Sequence, residues 1–181
     1  MRKRQVKIVL LYEDRAHDSF LRAYLANKGY NNRRIRPAPE AGRGKASVQK
    51  NYVPEVRKHR RYCKINQSET LALLVMIDQD APNQPSAYLD LDKRLREDGR
   101  DARGANEHIA IFAPKYSIET WAYHLLDPNR PVDETTDYSE RRYAVGPPEC
   151  RSAGAEFAAY DPEGCLLPSL VEGCAERQRI P

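Results

Sequence analysis

The stretch Leu71-Ala72-Leu73-Leu74-Val75-Met76-Ile77-Asp78-Gln79-Asp80 decides how the chain is read. Its seven consecutive apolar residues are far short of the ~20 a membrane helix needs. They suit a strand buried on both faces, the kind found in parallel sheets covered by helices. The run stops at two aspartates spaced two apart, with Pro82 and Pro85 closing the loop. This segment predicts the central strand of an α/β domain with acids at its carboxyl end.

Working outward, Gln5-Val6-Lys7-Ile8-Val9-Leu10-Leu11-Tyr12 reads as a second buried strand, followed at once by Glu13. Asp14 offers an N-cap, and Phe20, Leu21, Tyr24 and Leu25 form a helical stripe that ends at Gly29. A short strand is predicted at Arg33–Arg36. Pro37, Pro39 and Ala41-Gly42-Arg43-Gly44-Lys45 then form a loop, and a helix follows over 47–62 with Pro54 as a kink or a restart. Beyond the central strand, Tyr88, Leu91 and Leu95 mark a helix up to Gly99, and His108–Phe112 a further strand. Ser117 caps a helix reaching about Leu126. After Asp127 the pattern weakens to short helices near 137–143, 152–160 and 165–178, with Pro147-Pro148 and Pro162 as breaks. The expected fold is a mainly parallel sheet flanked by helices (residues 1–126), with a small helical C-terminal extension (127–181) packed on the same domain.

The 181 residues carry a formal charge of +4, which hides an asymmetry. Residues 1–64 have a net charge of +13 and residues 65–181 a net of −9. Arg33-Arg34-Ile35-Arg36, Arg43 with Lys45, and Arg57-Lys58-His59-Arg60-Arg61 concentrate the positive charge. Such clusters suit contact with a phosphate backbone, through release of condensed counterions; a solvated basic helix paired with the acidic half fits as well. Arg2-Lys3-Arg4 is not followed by a clean apolar stretch, so an export signal is not expected and the cytoplasm is the expected compartment. The four cysteines, 63, 150, 165 and 174, lack structural-zinc spacing and read as reduced, idle thiols.

In open parallel sheets, ligands collect outside the carboxyl ends of the strands. That rule gathers Glu13, Asp78 and Asp80, and Lys115 with Glu119, on one edge. If the backbone stays extended, Asp78 and Asp80 point the same way. Clustered carboxylates repel unless a cation neutralises them, and hard oxygen ligands suit Mg²⁺ or Mn²⁺. Each acid also has a plainer role, since Glu13, Asp14 and Glu119 stand where helix starts favour negative charge. The 41–45 loop lacks the spacing of a phosphate loop. His17 and His124 are placed at the outer edges of this site, and Trp121 and Tyr123 in the core or at its rim.

The unit Ile8-Val9-Leu10-Leu11-Tyr12-Glu13 and the unit Val75-Met76-Ile77-Asp78-Gln79-Asp80 resemble the two signatures of the Toprim domain. That domain is the metal-binding catalytic module of topoisomerases, bacterial primases and overcoming-lysogenisation-defect (OLD) nucleases. Ile111–Trp121, with Pro114-Lys115 and Ile118-Glu119 before Trp121, is similar to a P-K-x-x-I-E-x-W stretch of small stand-alone Toprim-like proteins. Some of those are encoded beside ATPases in phage-defence loci. The resemblance covers residues 5–126. It implies Glu13 as general acid/base or metal ligand, Asp78 and Asp80 as Mg²⁺ (or Mn²⁺) ligands, and Glu119 as an additional ligand. It implies Lys45 and Lys115 as phosphate contacts, beside a basic surface of Arg43, Arg57, Lys58, Arg60 and Arg61. One departure stands out: the family's glutamate is followed by glycine, and here by Asp14. The chain lacks room for a topoisomerase's or primase's other domains, so the expectation is a Mg²⁺-dependent nuclease acting on DNA or RNA. A non-catalytic Toprim-like subunit that binds nucleic acid or an ABC/AAA-type ATPase, and a small RNA-processing ribonuclease, are the rivals.

Overall fold

The computed structural model describes residues 6–80 and 86–181; Arg2-Lys3-Arg4, Gln5, Pro82 and Pro85 fall outside the described residues. Four strands form one sheet: β1 (Lys7–Tyr12), β2 (Ile35–Pro37), β3 (Leu71–Met76) and β4 (Ile109–Phe112). All neighbours are parallel, in the order β2-β1-β3-β4. β3 and β4 are buried along their whole length, as their uninterrupted apolar runs require.

Helices cover both faces. Alternate residues of β1 enter different cores, because side chains alternate across a strand. Ile8, Leu10 and Tyr12 pack with α1 (Arg15–Asn27), α4 (Ile118–Leu125), α5 (Pro147–Phe157) and α6 (Pro168–Glu176). Val9 and Leu11 pack instead with α2 (Lys45–Ile65) and α3 (Ala87–Glu97). A step from β1 to β2 and a step from β2 back across to β3 run in opposite directions, so right-handed crossovers place α1 and α2 on opposite faces. The reversal lies between β1 and β3, where such sheets open a crevice for ligands.

Several local expectations are corrected. The second strand is shifted: a 3-10 turn takes up Asn32–Arg34 and β2 begins at Ile35. Pro54 does not start a new helix: it lies inside α2, which runs from Lys45 to Ile65. Pro147-Pro148 opens α5 rather than ending an element, since a first-turn proline lacks an N–H the helix does not use there.

Residues after 126 complete the core. Phe157 lies 5.3–5.7 Å, centroid to centroid, from Phe20, Tyr24, Phe112 and Trp121. Gly154 makes the α1–α5 contact possible: a Cβ there would sit 2.2 Å from the Phe20 carbonyl oxygen. In α6, Gly173 leaves room for the Trp121 ring, and Ser169 Oγ accepts the Trp121 indole hydrogen at 2.8 Å. All four cysteines are free thiols. No described helix is long and apolar enough to cross a membrane.

Candidate functional site

The crevice between β1 and β3 holds the acids. Glu13 follows β1 and Asp78 follows β3 by two residues, so the pairing Tyr12↔Met76 sets them side by side. Glu13 Oε1 accepts the Asp78 backbone N–H at 2.6 Å. Burial, and then the Asp78 charge, push the Glu13 pKa up to about 7.

His17 stands at the centre of the site, a correction to its placement at the outer edge. It is fully buried on the first turn of α1, which Asp14 caps by accepting the Ala16 and His17 N–H groups at 2.8 and 3.1 Å. Its Nε2 lies 2.9 Å from Asp78 Oδ1. Burial by itself would lower the His17 pKa, but the Asp78 carboxylate beside it carries the value up to about 9. Nδ1 has a partner in either state: it accepts Glu13 N–H at 3.3 Å when neutral and faces Asp14 Oδ1 at 3.8 Å when charged. Asp78 is itself held above the usual carboxylate range by burial, against the opposing pull of His17.

Asp80 departs from the expected geometry. β3 stops at Met76, and the chain then follows the loop after β4: Gln79 N–H donates to Pro114 O at 3.0 Å and Asp80 N–H to Tyr116 O at 3.1 Å. Asp80 and Tyr116 both adopt left-handed backbone, with φ of 56° and 61°. This conformation ends the strand alternation, so the two aspartates do not point alike. Asp78 turns inward to His17, whereas the exposed Asp80 meets Lys45 Nζ at 2.6 Å. Non-glycine residues held in left-handed backbone cluster at functional sites.

The glycine loop brings Lys45 here. Gly42 N–H donates to Tyr12 O at 2.8 Å and Gly44 N–H to Glu13 O at 2.7 Å, with φ near 82° and 84°, so the loop folds over the end of β1. α2 then starts at Lys45, and α1 and α4 start beside it at Arg15 and Ile118. Three helix N-termini thus surround the acids, and their dipoles favour negative groups. Glu119 lies on the first turn of α4; burial first, and the Asp78 and Asp14 charges after it, raise its pKa. Lys115 Nζ reaches Gln79 Oε1 at 3.5 Å, beside a cavity of about 170 Å³ that Ser169 and Glu172 also line. Arg43 pairs with Glu40 at 2.9 Å on the exposed loop.

The other basic residues stand apart. Arg57, Lys58, Arg60 and Arg61 are 12–16 residues beyond Lys45 on one helix, about 18–24 Å along its axis. Arg57 pairs with Asp98 at 2.8 Å, Lys58 with Glu55 at 2.6 Å and Arg60 with Glu107 at 2.6 Å, while Arg61 is exposed. The Lys58 pair stays within α2, while the Arg57 and Arg60 pairs tie α2 to the end of α3 and to the segment before β4.

No family model, curated protein or solved structure matches this chain. Its chemistry has to be read from the site.

Among the described residues, no three His, Cys, Asp or Glu side chains already form a group that could hold a metal ion. The donor types nonetheless fit a hard divalent cation, because the site consists of carboxylates. Their condition fits too: Glu13, Asp78 and Glu119 are all raised in pKa, and Asp78 and Glu13, like Asp78 and Glu119, disfavour each other's charge. A dication would relieve that repulsion if Asp80 exchanged its Lys45 partner for the ion. The burial of His17, though not its contact with Asp78, was readable in the sequence: positions 17, 20, 21 and 24 form one helical stripe, which places His17 on the buried face.

Proposed function

We propose that the chain is a Mg²⁺-dependent phosphodiesterase acting on DNA or RNA, of the Toprim type that its strand-end motifs resemble. One observation carries the reading: Glu13 and Asp78 meet at the reversal point of a parallel sheet, where the Glu13 carboxylate accepts the Asp78 backbone N–H at 2.6 Å and is poised to titrate at about pH 7. A general base is most effective when its pKa lies near the working pH. Glu13, Asp78, Asp80 and Glu119 would hold the cation, which when bound supplies neutralising charge and a more acidic water.

The chain's own groups account for the rest. Glu13 takes the proton of the attacking water as the water oxygen bonds to phosphorus, the opposite P–O ester bond breaks, and the departing oxygen takes up a proton from solvent. His17 fixes Asp78 through its Nε2 hydrogen and leaves the carboxylate one orientation. Lys45, displaced from Asp80, and Lys115 meet the non-bridging phosphate oxygens. The N-termini of α1, α2 and α4 add positive field for the charge that grows on phosphate in the transition state.

The Lys45–Asp80 and His17–Asp78 pairs favour a second reading: a non-catalytic Toprim-like subunit that binds nucleic acid or an ATPase partner. One assay separates the two. Single-stranded DNA, duplex DNA and structured RNA are incubated with the protein and Mg²⁺ or Mn²⁺, with and without a candidate ATPase. The enzymatic reading expects metal-dependent cleavage that falls about 10³-fold in Glu13→Gln, while strand binding persists. Undiminished cleavage by a Glu13→Gln/Asp78→Asn double variant would overturn it. Cleavage confined to structured RNA would point to an RNA-processing role, and an anti-phage role predicts activity on invading DNA with the ATPase present.

A further inference from the structure

The opposite end of the sheet carries a second concave site. β2 is only three residues long and pairs with Ile8–Leu10, so Lys7 extends past it at the amino end of β1. Two cavities open there and share Arg36, Tyr62 and Leu71. The outer one, about 320 Å³, is walled by Lys7, Arg33, Arg34 and Arg36. The inner one, about 220 Å³, runs between the sheet and α2 over Val9, Leu71 and Leu73, and reaches His59. Together they fall within the ~300–1,000 Å³ range of small-molecule sites.

Charge and hydrogen bonding define what fits. Glu69 balances part of the outer charge, at 2.6 Å from Lys7 and 3.9 Å from Arg34. Arg33 and Arg36 are exposed and have no ion pair among the described residues. Inside, His59 is 4% exposed and its Nε2 donates to Leu71 O at 2.9 Å. That bond makes the buried Nδ1 an acceptor, and it has no hydrogen-bond partner. A buried acceptor without a donor is costly, and a ligand N–H would satisfy it.

We infer that this groove binds a nucleoside phosphate, with the phosphate among Lys7, Arg33 and Arg36, the base against Val9 and Leu73, and a base N–H on His59 Nδ1. Arginine suits the phosphate because its planar fork of donors matches the oxygens. The site is separate from the acidic crevice: β1 alone puts about 17 Å between Lys7 and Tyr12. It therefore stands or falls independently of the hydrolase reading.

Calorimetric titration of the full chain in EDTA tests it, with AMP, adenosine, inorganic phosphate and purine riboside monophosphate as probes. The EDTA removes any divalent ion through which AMP could bind the acidic crevice. AMP is expected to bind at least about tenfold more tightly than phosphate or adenosine, since each lacks half of the contacts. Purine riboside monophosphate, which lacks the exocyclic amine, is expected to bind several-fold more weakly than AMP. Arg36→Glu, an exposed change whose folding circular dichroism verifies, should weaken AMP at least about tenfold. A 5′-phosphorylated trinucleotide distinguishes the sources: tighter binding than AMP identifies a strand end, and equal or weaker binding a free nucleotide. AMP that binds no better than phosphate, or equally well to Arg36→Glu, overturns the assignment.

Discussion

The two ends of this sheet treat similar carboxylates in opposite ways. At the amino end, Lys7 and Tyr62 hold Glu69 below its ordinary pKa, and Arg57 and Arg100 do the same for Asp98. Glu107 resists burial through a two-pronged contact with Arg60, and its pKa is lowered as well. At the carboxyl end, Glu13, Asp78 and Glu119 are all raised, chiefly by burial. The difference teaches where each end spends its charge. At the amino end these acids each sit beside at least one cation, and the Arg57 and Arg60 pairs join α2 to the end of α3 and to the segment before β4. The carboxyl end crowds its acids around His17 and Lys45, leaving a repulsion that a bound cation can relieve.

The sharpest test of this contrast is a pair of substitutions with opposite signs. Arg60→Ala should lower stability by about 2 kcal/mol, because it strands a half-buried Glu107 and releases the Asp101 and Ala102 carbonyls. Chemical denaturation measures it. Glu13→Gln should raise stability at pH 8 by about 1–2 kcal/mol, since it removes a charge that burial penalises. A loss of stability in Glu13→Gln would show that its carboxylate is well paired and would erase the distinction between the two ends.

A smaller effect follows from the same groups. The folded pKa of Glu13, about 7, exceeds its ordinary 4.5, so between these values the unfolded chain binds fewer protons and stability falls as pH rises. His17, carried from 6.5 up to about 9, contributes stability that is complete below pH 6.5 and lost as pH climbs through 9. Melting temperature should therefore decline from about pH 5 to pH 9. In Glu13→Gln the part of the decline below pH 7 should flatten, and a scan that stays flat at alkaline pH would remove His17 from the account.

The smallest expected effect is the most direct on function. Mg²⁺ should raise the melting temperature at pH 8 and do so less at pH 6, where Glu13 keeps its proton and must lose it to bind. Calorimetric scans with and without Mg²⁺ read this. No shift at either pH would mean that the carboxyl end awaits no cation.

Much of the site was legible because strand order and strand ends leave few choices. Apolar runs at 71–77 and 108–112 announced β3 and β4, and the parallel sheet then required Glu13 and Asp78 to meet at the reversal point. The D-x-D spacing misled, because only the loop after β4 twists Asp80 into left-handed backbone and away from Asp78. The basic run 57–61 had two readings, and its ion pairs follow the one in which a basic helix pairs with acids. It is dense in sequence, yet Arg57, Lys58 and Arg60 are already paired on a helix that leads away from the acids.

Local pattern by itself determined the α/β class, three of the four strands and the residues that could form a site, since apolar periodicity and turn chemistry act over a few neighbours. Only the tertiary structure decided which charges find partners, that His17 grips Asp78, and that residues beyond 126 supply Phe157 to the central aromatic cluster. The His17 and Phe157 contacts join positions 36 to 137 residues apart, and at such separations it is the packing of whole elements, and not local preference, that chooses the neighbour.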